Sequence, residues 1–157
     1  MNLLSFLLIV NNFKMVYKFA MANSVVHFEM PAKDKKRVSE FYTKVFGWKM
    51  QQMDEKMGNY LIAQTTETDE NGMLKAPGAI NGGFFDYRDA EGFREPHLII
   101  AVDDINKSIE DVKSGNGKIE GEIMDIPGVG KYISFKDTED NLVGILQPSA
   151  DMTPNKD

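Results

Sequence analysis

Two stretches of this chain, set 70 residues apart, carry the same landmarks in the same order. His27 matches His97, and an aspartate follows seven positions after each, Asp34 and Asp104. Arg37 then matches Lys107, Glu40 matches Glu110, and Tyr42 falls opposite Val112. A repeat of this length is one supersecondary unit used twice, and such a unit cannot bury its own apolar face. Two copies packed side by side can, so 157 residues read as one domain built from two similar halves.

Each half reads as strand, helix, strand, strand, strand. Residues 24–30, SVVHFEM, are a β-branched and aromatic run ended by Pro31. Asp34 is a good N-cap, Val38, Phe41, Tyr42 and Val45 recur at helical spacing, and Gly47 stops the run. Strands are expected over 48–53, 59–64 and 79–85, with a polar loop over 65–77. The second half restarts with HLIIAV at 97–102, and Asp104 caps a helix with Ile105, Ile109 and Val112 on one face and Gly115 as its stop. Strands over 118–126, 131–136 and 142–147 follow, joined by turns at Pro127-Gly128 and Asp140-Asn141. The expected fold is α+β: two tandem βαβββ units, residues 23–88 and 95–148, forming a half-open curled sheet around a cleft.

Composition removes several classes of function. There is no cysteine, which excludes a disulfide framework, a thiolate nucleophile and any Cys-ligated metal, and which fits a reducing, cytoplasmic compartment. The net charge of −6 argues against a nucleic-acid partner. The apolar run from Leu3 to Val10 is far shorter than a membrane span, and no Lys or Arg precedes it as a signal peptide would require, although Ala20-Met21-Ala22 resembles a cleavage site. Residues 1–22 therefore read as an extension ahead of the domain, a short helix or a docking segment, and 149–157 as a loose tail.

Imidazole chemistry has only two addresses, His27 and His97. Glu29 lies two residues beyond His27, so on a strand it shares that face, roughly 6.6 Å along. In a partly apolar cleft its carboxyl would be raised and suited to general-base work; paired with a lysine it would be structural. Asn81-Gly82-Gly83 inside a strand marks either a close approach of ligand or a bend in the sheet. Gly128-Val129-Gly130 lacks the following Lys-Ser/Thr of a phosphate loop and reads as a turn. Tyr132 and Ser134 alternate on one face and can offer hydroxyls to a substrate or simply pack. The aromatics Phe84, Phe85, Tyr87 and Phe93 suit a core or a dimer seam, and Met50, Met53 and Met57 suit gap-filling or an apolar groove.

The pair of βαβββ units, each opening with a histidine-bearing strand, resembles the vicinal oxygen chelate superfamily, which includes glyoxalase I, the extradiol dioxygenases and the bleomycin and fosfomycin resistance proteins. The segments FYTKVFGW (41–48) and DTEDNLVGILQ (137–147) carry the resemblance, which spans about residues 23–148. In metal-dependent members, ligands come from the first, fourth, fifth and eighth strands. Carried over, His27 and His97 fall on the first and third ligand positions, the second falls near Asn81, and the fourth falls on Gly144. Both histidines are thus present and both usual carboxylates are missing. The resemblance implies a homodimer that binds a small organic molecule. One form is a lyase or isomerase holding Zn, Ni, Mn or Fe on His27, His97 and Glu29, with Asn81, Tyr132 and Ser134 toward substrate. The other is a metal-free, drug-sequestering binder.

Overall fold

In the computed structural model the described residues are 23–55, 58–69, 74–89 and 94–149. The extension at 1–22, the tail beyond Ser149, and Met57 and Phe93 lie outside them. Two helices and eight strands run in the order β1 (Val25–Ala32), α1 (Lys35–Phe46), β2 (Lys49–Gln52), β3 (Leu61–Gln64), β4 (Asn81–Asp86), β5 (His97–Ala101), α2 (Ile105–Ser114), β6 (Lys118–Ile126), β7 (Gly130–Lys136) and β8 (Leu142–Pro148).

The strands form one open, mixed sheet in the order β2-β3-β4-β1-β5-β8-β7-β6. Each half contributes four neighbouring strands. In each, the opening strand runs parallel to the closing one, β1 with β4 and β5 with β8. The halves meet where β1 pairs antiparallel with β5, Glu29 opposite His97 and His27 opposite Ile99. This is an α+β fold with the unit order that the sequence repeat predicts.

Both helices begin and end where the caps place them. The Asp34 side chain accepts from Arg37 N, and Gly47 takes a left-handed conformation at φ 71° that glycine adopts without Cβ strain. The Asp104 side chain accepts from Asn106 N and Lys107 N. Strand alternation then divides the core between the two faces of the sheet. On one face, α1 lies over Leu61, Ala63 and Phe84 with Val38 and Tyr42 packed in, and α2 lies over Ile133 and Ile145 through Ile105, Ile109 and Val112. The opposite face holds Tyr60, Phe85, Ile99, Ala101, Tyr132 and Leu146, with Ile126 and Val129 from the β6–β7 turn. Among the described residues no helix is long and apolar enough to cross a membrane.

Candidate functional site

Two of the polar residues singled out in the sequence, Glu29 and His97, meet on the helix-free face at the β1–β5 junction. Glu29 Oε2 lies 2.6 Å from His97 Nε2, and both side chains are buried, at 1% and 7% exposure. The pairing is dictated by register, because Glu29 stands directly opposite His97 across the antiparallel seam and both point to the same face. Burial pushes the Glu29 carboxyl above its ordinary range, against the opposing pull of the His97 hydrogen bond and charge. At His97, burial acts downward but is outweighed by the hydrogen bond and charge of Glu29 and by the Glu95 backbone, so its proton is held more tightly than usual. At this distance the two groups titrate as a coupled pair.

His27 does not join that pair. Its Nε2 lies 3.0 Å from the Tyr60 hydroxyl. Burial, with the nearby His97 adding to it, lowers its pKa to about 4, so the ring is neutral at pH 7. Tyr132 and Ser134 do meet, hydroxyl to hydroxyl at 3.0 Å, and both are buried. Burial and the charge of Glu29 push the Tyr132 phenol far above its ordinary range, which keeps it protonated. Asn81 is placed opposite His27, but its Oδ1 accepts from Thr65 N at 2.8 Å and Thr65 Oγ1 at 3.3 Å, anchoring the loop that follows β3.

The register also shows which residue of β4 corresponds to Gly144 of β8. Glu29 of β1 pairs with Gly83 of β4, and the equivalent Ile99 of β5 pairs with Gly144 of β8. Gly83, two residues beyond Asn81, is thus the symmetry mate of Gly144. A Cβ on Gly144 would stand 2.6 Å from the Tyr132 ring, and a Cβ on Gly83 would overlap the Tyr60 ring. A tyrosine ring fills the space above each of these two glycines.

Tyr60 is the residue that sequence reasoning passed over. In the sheet it matches Tyr132, since Ile62 pairs with Gly83 as Ser134 pairs with Gly144. That match is offset by 72 residues, not 70, so an alignment on the histidines sets Tyr60 against Gly130 and hides it. The remaining aromatics are divided between the faces: Phe84 packs under α1, Phe85 packs on the site face beside His97 at 5.4 Å between ring centroids, and Tyr87 lies under the Lys33 ammonium at 4.4 Å.

The donor set does not fit a divalent cation. Zinc usually takes three protein ligands plus water, and a non-haem iron site needs two His and one carboxylate. Here His97 Nε2 is turned to Glu29 and His27 Nε2 to Tyr60, and no group of three or more His, Asp or Glu among the described residues converges on a metal-sized position. The geometry instead supplies a buried carboxylate–imidazole pair, with the Tyr132 and Ser134 hydroxyls on the same face.

Known proteins share this fold. A lactoylglutathione lyase of Arabidopsis thaliana is 30% identical over 119 residues, 73% of this chain, and the chain spans about two fifths (40%) of that relative's length. A methylmalonyl-CoA epimerase solved with methylmalonyl-CoA and NH4+ superposes with a TM-score of 0.60 at 13% identity, covering 85% of this chain and 100% of the epimerase. The hypothetical protein BH1468 of Bacillus halodurans C-125 superposes with a TM-score of 0.59 at 15% identity, covering 82% and 96%. The model of the Glyoxalase/Bleomycin resistance protein/Dioxygenase superfamily matches residues 24–145, and the chain belongs to that superfamily.

Proposed function

We propose that this chain transfers a proton on a small organic molecule, as a lyase or isomerase, with Glu29 as the base and His97 as its proton-sharing partner. The observation that carries the reading is the 2.6 Å contact between two buried ionisable side chains on the site face. Pairs of this kind, with raised proton affinity in a dry site, are the ordinary equipment of general acid–base catalysis. Glu29 as carboxylate takes the proton from a carbon beside a carbonyl. The C–H electron pair moves into the carbon–carbon bond, and the carbonyl π pair moves onto oxygen. Return of the proton to the other face of the same carbon lets the oxyanion re-form the carbonyl, restores the carboxylate and leaves an isomer. His97 orients Glu29 and stabilises its charge. Tyr132 and Ser134 are the hydroxyls beside the pair that can donate to the developing oxyanion, and Tyr132 stays protonated to do so. Asn81 serves the loop instead.

The test is deuterium incorporation, followed by NMR, into lactoylglutathione and into methylmalonyl-CoA incubated with the full chain in D2O. Incorporation should fall by roughly 10²-fold or more in Glu29→Gln. Incorporation that is unchanged in that variant removes Glu29 from the chemistry.

A second reading, metal-free sequestration of an apolar molecule, draws on a different place. A cavity of about 400 Å³ opens on the helix-bearing face, lined by Phe28, Met30, Tyr42, Trp48, Pro96, His97 and Leu98. Trp48 is the only tryptophan, so its fluorescence reports directly on this cavity. Saturable quenching by bleomycin, with proton exchange absent, supports this reading over the first. In either case the superfamily's small-molecule role extends to a homodimer in our reading, with the exposed side of α1 as the contact.

A further inference from the structure

We propose that Tyr60 and Tyr132 stand where the metal-dependent members of the superfamily carry their two carboxylate ligands, and that they close this site to a divalent cation. The evidence is a symmetric exchange. On the fourth and eighth strands the ligand positions have become Gly83 and Gly144, and a tyrosine from the neighbouring strand lies across each glycine. Glycine is required at both, because any side chain would enter the space of a ring. Neither ring is free to swing away. Tyr60 is 3% exposed and Tyr132 is 0% exposed, and both are packed in the same cluster with Phe85, Ile99 and Leu146. Close-packed interiors offer no empty volume for a displaced phenol.

The hydroxyls complete the exclusion. Tyr60 is bonded to His27 Nε2, the imidazole nitrogen a cation would need, and Tyr132 is bonded to Ser134. The remaining imidazole, His97, faces Glu29. What a metal site would supply as four converging ligands is spent here as three side-chain pairs. The exchange also explains why one lost carboxylate could not be regained alone: glutamate at position 144 would drive its Cβ into Tyr132. The carboxylate and the space must return together.

The experiment is calorimetric titration of Zn2+, Ni2+ and Mn2+ into full-length, untagged protein purified without chelator, with folding followed by circular dichroism and thermal melting. The natural chain and Gly144→Glu should show no saturable binding. Tyr132→Ala/Gly144→Glu should show saturable binding of one equivalent, since it adds a carboxylate ligand in an open position. Should that double variant fail to fold, Tyr60→Ala/Gly83→Glu asks the same question in the other half. One equivalent bound by the natural chain and lost in His27→Ala/His97→Ala would overturn the proposal. So would tight binding by Gly144→Glu alone, or no gain in a folded double variant of either half. These readings need no substrate, so they stand or fall separately from the proton-exchange assay.

Discussion

The helix of the second half is seated and that of the first is not. α2 sets Ile105 at 0% exposure against Ile133 and Ile145, with Ile109 and Val112 packed beside it. α1 buries no residue fully. Val38 and Tyr42 reach the sheet, but Phe41, Val45 and Phe46 are 52%, 54% and 58% exposed. Two copies of one unit thus do different work. The second half is a finished layer, whereas the first presents a ladder of rings, Phe28, Trp48, Tyr42 and Phe46, with neighbouring centroids 4.6 to 5.9 Å apart. That ladder runs from the apolar cavity out to the surface of α1. Exposed apolar patches of this sort mark contacts with ligands or other chains.

The largest effects should come from the seam that joins the halves. Glu29→Ala leaves His97 buried beside no carboxylate, and loss of one partner from a buried ion pair costs about 3–5 kcal/mol. Urea denaturation should show it, and a cost below about 1 kcal/mol would mean that the pair does not brace β1 against β5. Next is the contrast between the helices. Ile105→Ala should cost about 2–5 kcal/mol, since it empties a fully enclosed site, whereas Val38→Ala, at a half-covered one, should cost distinctly less. Equal losses would erase the difference between α1 and α2.

His27 allows a subtler test on the first half. Its pKa is about 4 folded against an ordinary 6.5. A depressed pKa means that the unfolded chain takes up the proton first. Stability is therefore full above pH 6.5, falls as the pH drops toward 4, and loses nothing more from this group below that. The total is about 3 kcal/mol by linkage. The Glu29–His97 pair, with raised proton affinity, acts in the opposite direction, so the contribution of His27 is read as a difference. His27→Gln should flatten the acid limb between pH 6.5 and 4 relative to the natural chain. An identical limb in both would show that His27 takes up its proton over the same pH range folded and unfolded.

The fold was legible because its signals are local and doubled. Asp34, Gly47, Asp104 and Gly115 mark helix ends by hydrogen-bonding rules that need no tertiary context. Period-2 alternation put Tyr132 and Ser134 on one face, where they meet. Glu29, His27 and His97 were likewise placed on one face, but which of them would touch depends on cross-strand register, and a one-step change of register would have joined different side chains. Tyr60 escaped notice because the second unit is two residues longer ahead of its tyrosine, so its equivalence is visible only in the sheet. The seating of α1 was hidden for a similar reason. Val38, Phe41, Tyr42 and Val45 form one apolar stripe in the sequence, and only the angle at which the helix meets the sheet decides that the Val38–Tyr42 edge is covered and the Phe41–Val45 edge is not.

That uncovered edge gives the smallest expected change in stability and the sharpest test of what the first half is for. Phe41→Ser/Phe46→Ser removes two rings that are more than half exposed, so the fold should lose little, about 0.5 kcal/mol per site. If α1 is the contact between two copies, the same substitutions should convert a dimer to a monomer in light scattering coupled to size-exclusion chromatography, because aromatic anchors carry most of the energy of such interfaces. The matching control lies on α2, whose exposed side carries Lys107–Asp111 and Lys113–Glu110 ion pairs instead of rings. Lys107→Ser/Lys113→Ser should leave the assembly untouched. A natural chain that is already monomeric, or a dimer that survives the α1 substitutions and dissociates with those on α2, would assign the rings of the first half to the neighbouring cavity alone. The asymmetry between the halves would then belong to ligand binding and not to assembly.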